Sequence, residues 1–373
     1  MAGVLVHEWI EKIGGSENVL EALSHIFPDA DMLCLWNNAA ERFPDRVVRE
    51  TALARSPLRG RKAAALPFVP AVWRNQTNHD YDWALVSSHS FAHHVSFKNQ
   101  PPDFAKLAYV HTPARYIWNP ELDSRGDNAF ARALAAPFKG LDRRRAIEAT
   151  SIAVNSQYVA ARVKKSWGRD STVIHPPVEV ADIAAVPDWA DEVSDGERCT
   201  INALPAEFVL GASRFISYKR LDLVIRAGEV SRLPVVIAGG GPEEAALRGR
   251  AESATVPVVF VDSPSNALLR ALYQRAMVYV FPAVEDFGIM PIEAMAAGTP
   301  VVCNSVGGVP ESVIDDETGA HVSSWNDREL VNAVSRASAL DRTAVAVYAQ
   351  RFARERFDSN VHEWWAELVG PRG

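Results

Sequence analysis

Short apolar runs, separated by amphipathic stretches, recur along the whole chain. In the first half these runs lie at 3–6, 32–35, 83–86, 107–110, 152–154 and 172–174. Residues 17–26 and 156–167 instead carry apolar positions three or four residues apart, which is the spacing of one helix face. Strands that alternate with helices in this way are typical of a parallel, doubly wound sheet.

An acidic stretch at 178–205 interrupts the alternation, which then begins again. The second set of apolar runs lies at 208–211, 235–238, 258–261, 278–281 and 300–303, and helical spacing occurs between them at 221–231, 243–253, 266–275 and 289–297. We therefore predict an α/β protein with two Rossmann-like domains, one at 1–190 and one at 191–355. A final helical segment, 356–373, is predicted to pack back on the first domain.

Length and composition agree with two folded domains. The 373 residues exceed a single core of about 100 to 200 residues, and 48% of them are hydrophobic and 23% charged, as in soluble globular proteins. No apolar run reaches the roughly 18 residues of a membrane helix, and acidic residues interrupt the N-terminus too early for a secretory signal. We expect a cytoplasmic protein.

Net charge and cysteine usage exclude other classes of protein. The formal charge of −7 offers no general attraction for nucleic acid, so no nucleic-acid partner is expected. Cys34, Cys199 and Cys303 lie far apart, without the spacing of a disulfide framework or a structural metal site. We therefore predict no metal site.

Residues 281–300 combine acidic residues, a glycine and a helix start directly after a predicted strand. Gly288 permits close approach to the backbone, and Pro291 suits the first turn of a helix. Free N–H groups and the positive end of the helix dipole favour an anion such as a diphosphate at this point. The residues that we assign to this nucleotide site are Asp286, Phe287, Gly288, Ile289 and Met290.

Glu285 and Glu293 flank this helix start. Glu293 lies about one turn into the helix, where its carboxylate can accept two hydrogen bonds from a ribose diol; taken alone, it could equally complement the helix dipole. The pair, separated by seven residues, resembles the hallmark of family-four retaining glycosyltransferases of the GT-B fold. The resemblance implies that Glu285 contacts the donor sugar, that Glu293 binds the ribose, and that the two domains face each other across a cleft.

A second motif places Arg214 and Lys219 directly after the first strand of the second domain. Single cations on loops are usually solvated, but two cations at a strand end would neutralise a leaving group that gains negative charge. In the resembled family an Arg and a Lys in this loop hold the diphosphate, and we assign both to catalysis. Gly240 lies in a turn without dinucleotide-fingerprint spacing that resembles the family's turn beside the donor nucleotide.

The first domain carries further matches. Gly14 and Gly15 follow the opening strand and resemble the family's loop near the donor phosphates and the acceptor. His111 begins a His-Thr-Pro-Ala-Arg-Tyr stretch that resembles a motif of bacterial polysaccharide members, in which the His lies near the transferred sugar. A lone His at a strand end is more often structural, but within this motif we assign His111 a polar contact with the sugar. The serine-rich strand end at 87–90 could line the acceptor site.

Together these matches favour a retaining, metal-independent hexosyltransferase that takes a nucleotide-sugar donor, needs no cofactor and acts in glycan or glycoconjugate biosynthesis. By resemblance the favoured donor is GDP-mannose, while UDP- and dTDP-sugars stay open. Two alternatives are a sugar-nucleotide epimerase of the same fold and a non-catalytic sugar-nucleotide-binding protein.

The acceptor is the least defined part of the prediction, and a glycan, a lipid-linked or a small-molecule acceptor would each fit. The stretch 42–74 mixes basic and apolar residues, namely Arg42, Arg46, Arg49, Arg55, Arg59, Arg61, Lys62 and Arg74 among Leu58, Leu66, Phe68, Val69, Val72 and Trp73. Such a surface could contact anionic lipid at the inner membrane face, or it could be an ordinary solvated helix pair.

Overall fold

The structure is a computed structural model that describes residues 1–12, 14–76, 80–118 and 129–370, without the side chains of 129–136. The chain divides into two compact units. Unit 1 comprises Met1–Pro177 and Glu355–Gly373, and unit 2 comprises Val178–Arg354. Within the described residues, no helix combines the length and the apolar character that crossing a lipid bilayer requires.

Seven parallel strands form the sheet of unit 1. They are β1 (Gly3–Ile10), β2 (Asp31–Asn37), β3 (Val48–Glu50), β4 (Trp83–Ser88), β5 (Ala105–Val110), β6 (Ser151–Val154) and β7 (Thr172–Val173). Their spatial order is β3-β2-β1-β4-β5-β6-β7, so the direction of winding reverses between β1 and β4. In doubly wound sheets, ligands bind beyond the carboxyl ends of the strands at such a reversal.

Helices and loops bury both faces of this sheet. Along β1, Val4 and Val6 pack in one core with Trp73, whereas Leu5 packs in the other core with Leu107. Each fully buried aliphatic side chain stabilises the fold by roughly 1.5–3 kcal/mol relative to an exposed one. Because both faces are covered, the strands appear in the sequence as continuous apolar runs.

Seven helices of the described residues belong to unit 1, and one of them has identifiable caps at both ends. They are α1 (Gly15–Ile26), α2 (Lys62–Ala65), α3 (Val69–Arg74), α4 (Arg115–Trp118), α5 (Ala129–Ala146), α6 (Gln157–Trp167) and the last helix of the chain, α15 (Arg354–Val369). The Ser156 side chain caps α6 by accepting from the Val159 N–H at 3.0 Å. Gly168 ends the same helix at φ 72°, a left-handed conformation that glycine adopts readily.

α15 is part of the core of unit 1, although almost half of the chain separates it from α6. Phe357, Val361 and Trp364 are buried in the core that also holds Leu5. The Trp364 indole N–H donates to the Ser151 hydroxyl at 2.9 Å, which satisfies its polar atom. The sheet of unit 1 is therefore covered on this face by the far end of the sequence.

Six parallel strands form the sheet of unit 2. They are β8 (Val209–Arg214), β9 (Val235–Gly240), β10 (Val258–Asp262), β11 (Val278–Phe281), β12 (Val301–Asn304) and β13 (Gly319–Val322). Their order, β10-β9-β8-β11-β12-β13, is the Rossmann order 3-2-1-4-5-6 when the strands are counted within the unit. The winding reverses between β8 and β11, which places the loops after these two strands at the expected ligand site.

The helices of unit 2 cover its sheet in the same way. They are α7 (Val180–Ala185), α8 (Asp195–Asn202), α9 (Leu221–Ser231), α10 (Glu244–Glu252), α11 (Asn266–Arg275), α12 (Ile289–Ala296), α13 (Asp327–Ser338) and α14 (Arg342–Ala349). α7 and α8 come from the acidic stretch 178–205, and Val180, Ile183 and Ile201 from this stretch are buried in the core of unit 2.

The predicted fold class, two Rossmann-like parallel sheets, is confirmed. Two short edge strands were not predicted, β3 and β13, of three and four residues. Neither contains a continuous apolar run, because an edge strand has one neighbour and needs less apolar surface.

Candidate active site

The loops that follow β8 and β11 bring together two residues predicted from separate motifs. The Lys219 ammonium group donates to Glu285 Oε1 at 2.6 Å, and both side chains are largely shielded from solvent, with exposures of 11% and 16%. The Lys219 nitrogen also lies 5.0 Å from the centre of the Phe281 ring. A charge-assisted hydrogen bond against an aromatic wall fixes the position of both charges.

Arg214 ends β8 and is exposed to solvent. Within the described part of the chain, its guanidinium group forms no ion pair. The two predicted cations therefore differ. Lys219 is held by Glu285, whereas the guanidinium group of Arg214 is available to bind an anion.

α12 starts directly after the Glu285 loop, and no side chain caps its first turn. Gly288 precedes it at φ 98°, and a Cβ atom there would lie 2.7 Å from Val309 Cγ2. The N–H groups of Ile289 and Met290 lie in the first turn, where a helix has no internal acceptors for them. This helix start has the features of an anion site, as predicted from the sequence.

Two of the residues predicted to bind the nucleotide, Asp286 and Phe287, have buried side chains. Asp286 is buried, with 7% of its surface exposed. Phe287 is also buried, and its ring packs 5.9 Å from that of Phe352. The Phe287 side chain thus belongs to the core of unit 2, and only its backbone is available to a nucleotide.

Gly307 and Gly308, which the sequence analysis did not identify, pack against the backbone of the Glu285 loop. The Gly308 N–H donates to the Glu285 carbonyl at 2.7 Å. A Cβ atom on Gly308 would lie 2.0 Å from the Asp286 carbonyl oxygen, and Gly307 adopts φ 112°. The Val-Gly-Gly sequence after β12 could have indicated this contact. Adjacent glycines at the end of a strand allow another backbone segment to approach closely.

We expect the Gly308→Ala substitution to displace this loop. The methyl group cannot be accommodated 2.0 Å from a backbone oxygen, so unit 2 should lose about 1–3 kcal/mol of unfolding free energy. Urea unfolding followed by circular dichroism would measure the loss. Gly249→Ala in α10 is the matched control, since a Cβ there contacts nothing within 4 Å, and it should stabilise by about 0.5–1 kcal/mol. Equal effects of the two substitutions would contradict the proposed packing.

Glu293 lies on α12, one turn beyond the helix start, and is half-buried. Burial raises the pKa of its carboxyl group, and the charge of Arg270 only partly offsets this effect. A carboxylate held in this environment gains from any ligand that donates hydrogen bonds to it, such as a diol.

The glycine turn at the end of β9 packs against the end of β8. The Phe215 N–H donates to the Gly240 carbonyl at 2.8 Å. Gly239 adopts φ 136°, and a Cβ atom on it would lie 2.0 Å from the Ser213 carbonyl oxygen. The turn therefore requires glycine at 239, whereas a Cβ on Gly240 would meet only the Ser263 hydroxyl, at 3.2 Å.

In unit 1, His111 follows β5 and is one of three histidines around Ser87. His111 Nε2 lies 2.8 Å from the Ser87 hydroxyl, and His7 Nδ1 lies 3.1 Å from the Ser87 carbonyl oxygen. The His89 ring centre is 5.5 Å from that of His7 and 6.3 Å from that of His111. Burial, followed by the charge of His89, lowers the pKa of both His7 and His111.

Glu8, which the sequence analysis did not single out, is fully buried beside this cluster. Its Oε1 accepts from the N–H groups of Ser90 at 2.8 Å and Ala92 at 2.9 Å. Burial opposes ionisation, but the nearby His89 and His7 and these N–H groups outweigh it and hold the pKa of Glu8 at about 2. The sequence did carry a signal for this site, namely an acidic residue inside the apolar strand β1. A buried charge requires dedicated partners, so Glu8 could have been identified as a site residue.

A second buried carboxylate, Asp142, organises the adjacent loop. It accepts from the indole N–H groups of Trp118 and Trp167, each at 2.7 Å. His94 Nε2 and His93 Nε2 lie 2.9 and 3.0 Å from its other oxygen. Its partners, the two histidines first, overcome the effect of burial and lower the pKa of Asp142.

Within the part of the chain that the structure describes, two trios of side chains place potential metal ligands within 4.8 Å of one another: His7 with Glu8 and His89, and His93 with His94 and Asp142. In both trios the carboxylate already accepts several N–H donors. These contacts account for the two carboxylates, whereas His7 Nε2, His89 Nδ1 and His93 Nε2 are buried without a hydrogen-bond partner among the described residues.

The predicted glycine loop after β1 is shaped by a buried acid. Glu17 is 4% exposed and accepts from the Ser16 hydroxyl at 2.8 Å and from the Glu11 N–H at 3.3 Å. A Cβ atom on Gly14 would lie 2.0 Å from Glu17 Oε2. Gly14 thus leaves room for a carboxylate of the chain itself, and Gly15 begins α1.

Most cations of the stretch 42–74 have partners within unit 1. Five of them lie within 3.4 Å of carboxylates, in the pairs Arg42–Glu21, Arg49–Asp31, Arg59–Glu50, Lys62–Glu11 and Arg74–Glu148. Arg46 donates to backbone carbonyls, including that of Ser24 at 2.9 Å. Among the described residues, Arg55 and Arg61 form no ion pair and are exposed, and Phe68 is 54% exposed.

Comparison with known sequences places unit 2 in a family. Residues 202–354 match the family described as glycosyl transferases group 1. The chain is 30% identical over 220 residues to a GDP-mannose-dependent alpha-(1-6)-phosphatidylinositol monomannoside mannosyltransferase of Mycolicibacterium smegmatis, covering 55% of this chain and 57% of the relative. It is 26% identical over 211 residues to alpha-1,3/1,6-mannosyltransferase alg-2 of Neurospora crassa, covering 46% and 44%. The chain spans about half the length of the curated relatives it matches.

Comparison with solved structures extends the likeness in fold to both units. Anabaena HepE in complex with UDP superposes with a TM-score of 0.71 at 17% identity, covering 98% of this chain and all of the other. A sucrose-phosphate synthase of Thermosynechococcus elongatus gives 0.69 at 19% identity, covering 98% of each chain. The predicted family resemblance is confirmed over residues 202–354, which match the group 1 glycosyl transferases, and both units share the two-sheet fold of these solved structures.

Proposed function

We propose that the protein transfers a hexose from a nucleotide-sugar to an acceptor hydroxyl with retention of configuration. The observation that carries this proposal is the Lys219–Glu285 pair of 2.6 Å, placed where the winding of unit 2 reverses and beside the uncapped start of α12. A cation, a carboxylate and free N–H groups at one strand edge suit a donor that carries both a diphosphate and a sugar.

The diphosphate would lie between the cations and the helix start. Arg214 would contact it through its guanidinium fork, and Lys219 would approach it as a point charge. The N–H groups of Ile289 and Met290 would accommodate phosphate oxygens, with Gly288 keeping the approach open. These groups supply positive charge to the donor without a metal ion.

The carboxylates would divide the remaining contacts. Glu293 would accept from the ribose hydroxyls, which relieves the cost of holding its charge in a buried position. Glu285, fixed by Lys219, would accept from hydroxyls of the transferred sugar.

In the proposed step, the bond between the anomeric carbon and the phosphate oxygen breaks, and the acceptor oxygen bonds to the same face of that carbon. The acceptor proton passes to the leaving phosphate, so atoms and charge balance. Arg214 and Lys219 stabilise the negative charge that develops on the leaving group. His111, with its pKa lowered by burial, would contact the sugar as a neutral ring.

The donor that we favour is GDP-mannose, and the support is a relative whose name specifies that donor. UDP-sugars are the main alternative, since the Anabaena structure was solved with UDP. The acceptor that we propose is a hydroxyl of a polyol or glycan, in keeping with relatives named for phosphatidylinositol mannoside and inositol phosphate.

A thermal-shift screen of GDP-, UDP- and dTDP-sugars tests the donor site. A nucleotide-sugar present at 100 times its Kd should stabilise the protein by about 2.7 kcal/mol. Glu293→Gln should weaken the shift given by the nucleotide alone, because the amide is a poorer partner for two hydroxyls. Glu252→Gln, at the exposed end of α10, is the matched control and should leave the shift unchanged. If no nucleotide in the panel stabilises the wild type, the proposal fails.

A further inference from the structure

Two imidazole rings and a carboxylate meet at the carboxyl ends of β1 and β4. His7 and Glu8 lie near the end of β1, and His89 follows the end of β4, which is a neighbour of β1 in the sheet. One nitrogen of each ring and one oxygen of Glu8 lie within 4.8 Å of one another. The proposed chemistry of the donor uses none of these three side chains, so their arrangement requires an explanation of its own.

Ser87 determines which nitrogen of His7 is left for a ligand. His7 Nδ1 lies 3.1 Å from the Ser87 carbonyl oxygen, in a buried hydrogen bond. A carbonyl oxygen can only accept, so Nδ1 carries the proton and Nε2 keeps its lone pair in the neutral ring. Nε2 is buried, and the described residues offer it no hydrogen-bond partner. Histidines that bind metals usually donate their second ring N–H to a backbone carbonyl or a carboxylate, as His7 does here.

His89 Nδ1 is a second buried nitrogen without a hydrogen-bond partner in the described part of the chain. It lies 3.1 Å from Glu8 Oε2, which is near enough for a hydrogen bond, but the two atoms are not aligned for one. Two ligands of one metal ion have this relation, because each directs a lone pair at the ion and not at the other ligand. Buried polar atoms almost always have partners, so two unpartnered nitrogens beside one carboxylate indicate a ligand.

The Glu8 carboxylate is oriented mainly through one of its oxygens. Oε1 accepts from the N–H groups of Ser90 and Ala92, at 2.8 and 2.9 Å. Oε2 accepts from the His89 N–H at 3.2 Å, a donor that it shares with Oε1. Oε2 therefore keeps lone pairs for a cation. Buried charges in proteins are paired with an opposite charge or coordinate a metal, which makes a cation the expected ligand.

The spacing of the three atoms suits a small ion. Ligands that lie about 2.0–2.2 Å from one zinc ion are roughly 3–3.5 Å from one another. Glu8 Oε2 and His89 Nδ1 already have this spacing, at 3.1 Å. Side-chain shifts of about 1 Å would bring the third ligand to the same spacing. The His89 side chain keeps 21% of its surface exposed, which gives an ion a route from solvent.

The trio of His93, His94 and Asp142 differs in each of these respects. Both oxygens of Asp142 are engaged by side chains, one by two indole N–H groups and the other by His94 Nε2 at 2.9 Å. The three side chains are at most 1% exposed, so an ion has no comparable route from solvent. The comparison favours the trio of His7, Glu8 and His89 as a place for an ion.

We propose that His7 Nε2, Glu8 Oε2 and His89 Nδ1 bind one divalent transition-metal ion, with Zn²⁺ as the best fit. Two imidazole nitrogens and one carboxylate oxygen form a ligand set that zinc accepts, and three protein ligands leave a fourth position for water. Mg²⁺ and Ca²⁺ prefer oxygen ligands alone. The ion would tie the end of β1 to the loop after β4.

This metal site is independent of the proposed function, since it lies in unit 1 and shares no residue with the donor-binding groups of unit 2. It also departs from the sequence-based prediction of no metal site. That prediction considered the spacing of cysteines, and it could not foresee that β1 and β4 would bring histidines 82 positions apart, His7 and His89, to one place.

Equilibrium binding of Zn²⁺ to the full chain, measured after metal removal in competition with a chromophoric chelator, tests the site. We expect one tightly bound ion per chain in the wild type. His7→Gln and His89→Gln should each weaken binding by more than about 100-fold, beyond the roughly 10- to 100-fold that loss of an outer partner typically costs. His362→Gln and Cys199→Ser replace exposed residues and are the matched controls, with affinity expected to stay as in the wild type.

The binding measurement has two outcomes that would overturn the proposal. One is the absence of stoichiometric Zn²⁺ binding to the wild type, and the other is wild-type affinity in His89→Gln. Because the His89 side chain is partly exposed, this variant decides the question if His7→Gln does not fold. Mg²⁺ at the same concentration should not compete with Zn²⁺, and effective competition would contradict the nitrogen ligands.

Two spectroscopic measurements locate the ion. Co²⁺ in place of Zn²⁺ should give the visible absorption of a site with nitrogen and oxygen ligands, whereas a thiolate charge-transfer band would place the ion at a cysteine and refute the assignment. Nuclear magnetic resonance of the chain labelled with ¹⁵N-histidine, assigned with the two glutamine variants, should show Zn²⁺ shifting His7 Nε2 and His89 Nδ1. Shifts confined to His93 and His94 would move the site to the other trio and overturn the proposal.

Discussion

Replacing Lys219 with alanine should lower kcat for glycosyl transfer by about 10²- to 10³-fold at saturating donor and acceptor. The reason is that Lys219 is a preorganised cation, held by Glu285 at 2.6 Å and shielded by the Phe281 ring. Charge that develops on the leaving phosphate would find this cation in place before the reaction begins. Stabilisation that grows along the reaction affects kcat more than the binding of the donor.

Three comparisons give the Lys219 prediction its controls. Lys219→Arg retains the charge and should recover part of the rate, because the guanidinium differs in shape. Lys219→Met combined with Glu285→Gln should cost less than the product of the single effects, since the two side chains contact each other. Arg226→Ala, which removes an exposed surface ion pair, should leave kcat within about twofold. Wild-type kcat in Lys219→Ala would refute the assignment of the leaving-group charge.

Glu8→Gln should lower the stability of unit 1 at neutral pH by about 2–3 kcal/mol, and the difference should disappear in acid. Glu8 is held at a pKa of about 2, below the ordinary value for a glutamate, so its ionisation stabilises the folded state. A depressed pKa contributes its full stabilisation above the pKa of the unfolded chain. That stabilisation is lost as the pH falls from about 5 to about 2, and glutamine has none to lose.

Urea unfolding between pH 7 and pH 3 would measure the Glu8 difference. Tryptophan fluorescence reports mainly on unit 1, because only Trp189 and Trp325 of the ten tryptophans lie in unit 2. Asp142 also has a lowered pKa, but it is present in both proteins and cancels in the comparison. Glu11→Gln should change stability by less than about 0.5 kcal/mol, as expected for a partly exposed pair. A Glu8→Gln difference that stays constant down to pH 3 would show that the carboxylate charge is not the cause.

Much of the fold was predictable because buried parallel strands leave a strong pattern in the sequence. β11, α9 and α11 were predicted at their observed bounds, since each apolar run is closed by a clear turn or cap. The edge strand β3 was not predicted, because only Val48 of its three residues is partly buried and the other two are exposed. Whether a short edge strand forms depends more on pairing with the neighbouring strand than on its own sequence.

In the candidate site, the residues of the sequence motifs could be predicted. The residues that hold them in position could not. Local spacing identified Glu285 and Lys219, but the two residues are 66 positions apart in the sequence. They come into contact only because β8 and β11 are neighbours in the sheet. Glu8 and Gly308 were missed for the same reason. Their partners lie more than 20 residues away in sequence, and a single sequence carries no record of such contacts.

The return of the chain to unit 1 after Arg354 has a consequence for biosynthesis. Every strand of unit 2 leaves the ribosome before α15 does, so unit 2 can close its sheet while unit 1 still exposes the apolar surface that Phe357, Val361 and Trp364 will cover. Exposed apolar surface on a partly folded chain promotes aggregation. The interval between the synthesis of residue 177 and that of residue 369 is thus when a nascent chain most needs a chaperone.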